Sequence, residues 1–174
     1  MVSNWYYGRM PDHVDRIIEQ WHKEQPRLDV SPMAVIGRLS RTAHVVESRL
    51  AKTFAQHGLD AAAFDVLATL LRSGAPYRIT PFALAREAMI STSAVAQRLN
   101  KLENRGLVTR QANPGDGRGK LVALTDAGRA LIETVLPHHL ETELGIIAAL
   151  SAEEQAVLAD LLQRLNTAAS IGMR

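Results

Sequence analysis

Apolar residues recur at intervals of three and four along most of the chain, and the interval changes once, between residues 107 and 124. Val14, Ile17, Ile18 and Trp21 share one helical face, and Pro26 closes that stretch. Ser31-Pro32 joins a hydroxyl cap to a proline at the first helical position, where no amide donor is required. The helix it starts is expected to turn Ile36, Leu39, Val46, Leu50 and Phe54 inward and to end at Gly58. Asp60 caps a third helix, AAAFDVLATLLRS, which stops at Gly74. Thr80-Pro81 repeats the cap-plus-proline start for the short FALAREA helix, and Ser91 can cap STSAVAQRLNKLENR, which stops at Gly106. Residues 107–111 and 120–124 are short and β-prone, which predicts a hairpin with a long, flexible tip. A helix opening at Thr125 or Asp126 then carries Leu131, Ile132, Val135, Leu140, Leu144 and Ile147, with Pro137 expected to kink or break it. Ser151 to Glu154 reads as a capping box for a last helix striped by Val157, Leu158, Leu161, Leu162 and Leu165.

A close pair of helices followed at once by a two-stranded hairpin is a winged helix-turn-helix. The fold class expected is therefore mainly α with a small β-wing, with additional helices at both ends. The expected divisions are a flexible N-terminus over 1–11, N-terminal helices over 12–58, the winged helix-turn-helix over 59–124 and C-terminal helices over 125–174. In that architecture the second helix of the pair enters the major groove and the hairpin tip lies along the backbone or minor groove. The outer helices carry more apolar stripe than a small winged-helix core can cover. That surplus predicts a homodimer, which sets two reading helices in successive major grooves of a pseudo-palindromic duplex.

Composition narrows the chemistry. The 174 residues include no cysteine, which removes disulfides, thiolate catalysis and cysteine-ligated zinc. No apolar run approaches the roughly 18 residues of a membrane span, and the first residues lack a secretory pattern, so a soluble cytoplasmic protein is expected. A net charge of +2 says little alone. Its distribution says more: seven basic residues (Arg86, Arg98, Lys101, Arg105, Arg110, Arg118, Lys120) and three acidic ones lie between Leu84 and Lys120. Basic charge concentrated in this way is a footprint of contact with a phosphate backbone, or a solvated basic surface.

The stretch NPGDGRGKL, residues 113–121, has three readings. As a nucleotide-binding loop of an enzyme it fails on spacing. Gly119-Lys120 would need glycine at position 114, which is Pro114, and a hydroxyl residue after the lysine, which is Leu121. As a plain hairpin turn it needs no function. As a DNA-contacting wing, its glycines allow close approach, and Arg118 offers a planar cation to a narrow, negative groove. Asp116 would then hold Arg118 or a nearby amide in position. On the reading helix, Ser91, Thr92 and Ser93 are short hydroxyl side chains at the N-terminus, suited to phosphates or base edges. Gln97 and Lys101 lie four apart on one face, suited to adenine and to guanine or phosphate. No cofactor motif is present. The six histidines make no HExxH spacing, and His138-His139 reads as a solvated pair after the proline.

From the reading helix through the hairpin to LTDAGRALI, the chain resembles the MarR family of dimeric winged-helix regulators. The resemblance rests on Asp116-Gly117-Arg118 and on Leu124 to Arg129, an Asp-x-Arg core followed by Leu-Thr-x-x-Gly-Arg. Gly117 departs from the family, where many members carry arginine, and Ala94 and Ala96 replace hydroxyl residues. EQWHKEQPRLDVSPMAVIGRLSR and FDVLATLLRSGAPYRITPFALA resemble the PecS and urate-responsive branch, over roughly residues 12–168. That branch implies a repressor released by a small anionic effector, urate or a related purine. The alternative is an aromatic carboxylate or a phenolic compound. The resemblance implies a ligand site of Trp21, Asp65, Arg72 and Arg98, with Arg98 coupling ligand to DNA. Taken singly, Trp21 reads as core, Asp65 and Arg72 as an ion pair, and Arg98 as a phosphate contact.

Overall fold

The computed structural model describes residues 10–88, 92–113 and 116–171, with backbone alone at 92–94, 116–118 and 170–171. The chain divides into two units, Met1–Ser48 and Arg49–Arg174.

In the first unit, α1 (His13–Glu24) starts at a reciprocal cap. The Asp12 carboxylate accepts from the Asp15 amide, and the Asp15 carboxylate accepts from the Asp12 amide, each at 2.9 Å. Asp12 is a favoured cap residue, and the box is closed by Asp15 where Glu or Gln is usual. Arg38, on α2 (Pro32–Gln56), donates Nε to Asp12 at 2.8 Å and Nη2 to Asp15 at 2.6 Å. Asp15 is buried, so a paired guanidinium offsets the cost of removing its charge from water. Val14, Ile18 and Val30 make the small apolar cluster beside it. Gly37 permits this packing: a Cβ there would lie 3.2 Å from Val14 Cγ1.

The second unit holds the helix pair and hairpin. Asp60 Oδ1 accepts from Ala63 N at 2.7 Å and opens α3 (Ala61–Arg72), which is followed by β1 (Arg78–Ile79). Thr80 caps α4 (Pro81–Glu87), with proline in its first turn. Then come α5 (Thr92–Asn104), β2 (Val108–Asn113), β3 (Asp116–Leu124), α6 (Asp126–Ile147) and α7 (Ala152–Ile171). The sheet is antiparallel with order β1-β3-β2. Its core draws Leu67 and Leu70 from α3, Leu84 from α4, Leu99 and Leu102 from α5, Val122 from β3 and Ile132 from α6, all essentially inaccessible.

One junction sets the hairpin against the helices. Two residues past α5 lies Gly106, whose φ of 68° suits glycine. The Thr125 hydroxyl donates to the Gly106 carbonyl at 2.7 Å and accepts from the Gly128 amide at 3.0 Å. A Cβ at Gly128 would lie 1.9 Å from the Leu107 carbonyl oxygen. The Thr-x-x-Gly of the sequence motif is therefore a lock between the end of α5, the start of β2 and the start of α6.

Several expectations need correction. The hairpin tip is shorter than expected: the strands stay paired out to Asn113 and Asp116, with a register irregularity between Ala112 and Asn113. Backbone pairing is indifferent to the missing side chains of glycine, so the glycine run reads as strand. β1 went unseen because two residues carry no period. Pro137 neither ends nor divides α6, which runs 22 residues through it. Pro137 and Glu133 are exposed, so water can serve the carbonyl that proline leaves without an amide donor. Phe54 is buried as expected, but Ile36 is 54% exposed and Leu39 37%. His138 and His139 are not a solvated pair. His138 Nδ1 lies 3.0 Å from His57 Nε2, whereas His139 packs on Phe54 and Phe64 and approaches Glu143.

Candidate nucleic-acid interface

The inward residues of α5 are Val95, Leu99 and Leu102, at helical spacing and each about 1% exposed. That face fixes the rotation of the helix. Gln97 and Lys101, four residues apart, are consequently both exposed. Thr92 and Ser93 lie in the first turn of α5, and Asp116 and Arg118 in β3. The side chains of these four lie outside the described residues, as does Ser91 altogether.

The hairpin is held beside α5 by charge. Arg110, on β2, ion-pairs with Glu103 through Nη1 and donates Nη2 to Asn100 Oδ1 at 2.7 Å. The Arg110 amide also donates to Glu103 Oε1, at 3.2 Å. One arginine of the basic segment is thus a structural strut. Sequence reasoning counted it among the cations available to a partner. The seven-residue separation of Glu103 and Arg110 crosses a helix end and a turn, so no fixed period marks the pair. Arg86 pairs with its neighbour Glu87 at 3.0 Å.

Arg98, Lys101 and Arg105 differ. Among the described residues none of them forms an ion pair, and Arg98 Nη1 is shut off from solvent without a hydrogen-bond partner. With Asp60 and Gln97 they line a hollow of about 610 Å³ between the start of α3 and the second half of α5.

A second hollow, about 460 Å³, lies between α3, the end of α4 and α6. Asp65 and Arg72 both line it, since seven residues bring them nearly two turns apart on one face of α3. Phe64, Leu71, Leu136 and Leu140 supply apolar wall, and Glu87 and His139 add polar groups. Arg72 donates Nη2 to the Glu87 carbonyl at 2.6 Å, which anchors one arm of its fork. Among the described residues Arg72 forms no ion pair with Asp65. Arg98 lines the other hollow, and Trp21, 41% exposed, belongs to the first unit. Within the second unit α3 is the wall common to both hollows. Glu87 and His139 were missed as groove residues because helix packing, not spacing, brings them there.

A profile for the MarR family matches residues 57–119, which span α3 through most of the hairpin. The HTH-type transcriptional regulator PecS of Dickeya dadantii is 43% identical over 153 residues, 88% of this chain and 92% of that protein. Among solved structures, a cysteine-to-serine mutant of MarR from E. coli, complexed with operator DNA, superposes with a TM-score of 0.68 at 26% identity. That match covers 83% of this chain and 96% of the other. BpsR of Bordetella bronchiseptica, whose DNA binding is regulated by 6-hydroxynicotinic acid, superposes with a TM-score of 0.68 at 26% identity. It covers 76% of this chain and 92% of that one.

Proposed function

The chain belongs to the MarR family of DNA-binding transcriptional regulators, and from that premise we propose that it works as a homodimeric repressor released by a small planar anion. The nucleotide-enzyme reading of residues 113–120 is set aside: the relatives are regulators, not enzymes. The observation that carries the DNA contact is the placement of exposed Gln97 and Lys101 on α5, with the hairpin strutted alongside through Arg110. Ser91, Thr92 and Ser93 complete the reading surface in this proposal, and Arg118, positioned by Asp116, serves the wing.

The dimer rests on α7. Every described side chain of this 20-residue helix except Gln155 is exposed, including Val157, Leu158, Leu161, Leu162 and Leu165. A helix with an unburied apolar face gains little stability alone in water. A second copy of the chain covers it most simply, by two-fold symmetry. That symmetry calls for a pseudo-palindromic operator.

The effector occupies the groove beside Asp65 and Arg72. Its apolar walls suit a planar ring, and Arg72, already anchored by one arm, offers the remainder of its fork to an anionic edge. Urate or a related purine fits this description, because its N–H groups also answer Asp65. Trp21 and Arg98 stand in the same proposal on the likeness to urate-responsive regulators. A release mechanism requires that the ligand bind the DNA-incompetent shape more tightly. The second reading, an aromatic or heteroaromatic carboxylate, is favoured by the 6-hydroxynicotinic acid response of BpsR.

The test is a gel shift on the protein's own upstream intergenic DNA, titrated with urate, xanthine and salicylate. Urate should release the DNA from the wild type and not from Arg72→Ala, which should still bind DNA. Release by salicylate with no response to urate would sink the purine assignment.

A further inference from the structure

Four described arginines of the second unit are paired with a carboxylate: Arg86 with Glu87, Arg110 with Glu103, Arg129 with Glu133 and Arg164 with Asp160. The 610 Å³ hollow between α3 and α5 departs from this habit. Arg98, Lys101 and Arg105 line it together with Asp60, yet no ion pair joins them to that carboxylate. Asp60 is instead engaged as a cap, accepting from the Ala63 amide at 2.7 Å. Three cations against one occupied carboxylate leave the hollow electropositive, and the first turn of α3 adds the positive end of its helix dipole.

Burial sharpens the point. Arg98 Nη1 is inaccessible and lacks an acceptor, a costly state for a charged donor. An anion seated beside that guanidinium would lower the cost. Gln97 adds an amide to the lining. The hollow is open, and five of the side chains that line it, Gln97, Arg98, Lys101, Asn104 and Arg105, carry N–H donors. That chemistry suits a phosphate group better than a flat aromatic ring.

We propose that this hollow seats a phosphate of the DNA backbone alongside the reading helix, with Arg105 as a direct contact and the half-buried Arg98, its Nη1 shut off from solvent, as the charge behind it. The inference rests on the DNA-binding reading above. It adds a contact from the α3 side of α5, opposite the wing, and gives Arg98 a part in DNA binding that needs no contact with Asp65. The duplex backbone is favoured over a free phosphorylated metabolite because Gln97 and Lys101, on the exposed face of the same helix, line the same hollow. A phosphate seated there would run on from the bases that face reads.

The experiment measures dissociation constants for an upstream duplex at several salt concentrations, for the wild type, Arg105→Gln and Arg27→Gln. Arg27 is an exposed cation in the turn between α1 and α2 and controls for lost net charge. Arg105→Gln should weaken binding about tenfold on all sequences and flatten the log–log salt slope by about one, with melting temperature unchanged. Arg27→Gln should do neither. Equal weakening by both substitutions would overturn the seat, as would an unaltered affinity in Arg105→Gln while the wild type binds with steep salt dependence. A third arm titrates pyrophosphate without DNA. If it raises the melting temperature in an Arg105-dependent way while DNA affinity ignores Arg105, the hollow serves a free phosphate and the DNA assignment fails. Absence of any wild-type DNA binding would instead strike the parent reading.

Discussion

On the wing side of α5, Arg110 is closed in by Glu103 and Asn100; on the α3 side, Arg98, Lys101 and Arg105 face an open hollow with no ion pair among the described residues. The two flanks carry the same kind of side chain within one short segment, and only partners distinguish them. On one flank a carboxylate stands at the right distance, so the positive charge is spent on holding a strand to a helix. On the other the one carboxylate in the lining, Asp60, caps α3 and forms no ion pair with the three cations among the described residues, so they outnumber it. Net charge along the sequence cannot make this distinction, because it depends on which acidic residue is engaged elsewhere.

The largest expected effect strikes the anchored flank at its base. Gly128→Ala drives a Cβ to 1.9 Å from the Leu107 carbonyl and should cost more than about 3 kcal/mol. Thermal unfolding should show it, and a variant melting like the wild type would contradict the lock. Next comes Glu103→Ala, which strips Arg110 of its carboxylate. Loss of a half-buried, charge-assisted pair should cost about 2 kcal/mol and lower the melting temperature by roughly 4–8 °C. Arg105→Gln sharpens the contrast from the other flank: its melting temperature should hold while DNA affinity falls about tenfold. A drop in stability comparable to that of Glu103→Ala would mean the two flanks are alike. The smallest effect is expected from Asp160→Asn, which removes an exposed pair on α7. Equilibrium unfolding should shift by less than about 0.5 kcal/mol.

The order of helices and the hairpin was legible from caps and period. Asp60, Thr80-Pro81 and Ser151 each stand where a helix begins, and Gly58, Gly74 and Gly106 all take positive φ at the stops. Local chemistry decides those positions, so a local reading finds them. Where the reading failed, the cause was distant. Ile36 and Leu39 match a core period yet are exposed in the single chain, since period shows that a face is apolar and not what covers it. His139 looked like a solvent-facing neighbour of His138, but the turn of α6 places it on Phe54 and Phe64 instead. The shared exposed face of Gln97 and Lys101 could be read from spacing on one helix. Glu87 beside Arg72, and Asp60 beside Arg98, could not, because contacts between helices bring them together.

The proposal that the chain grips duplex backbone and grooves is tested most directly by the salt dependence of its binding to an upstream pseudo-palindromic duplex. The dissociation constant should rise steeply with salt, in proportion to the phosphates contacted, and the stoichiometry should be one dimer per site. A binding constant indifferent to salt, or no binding at low salt, would contradict the account.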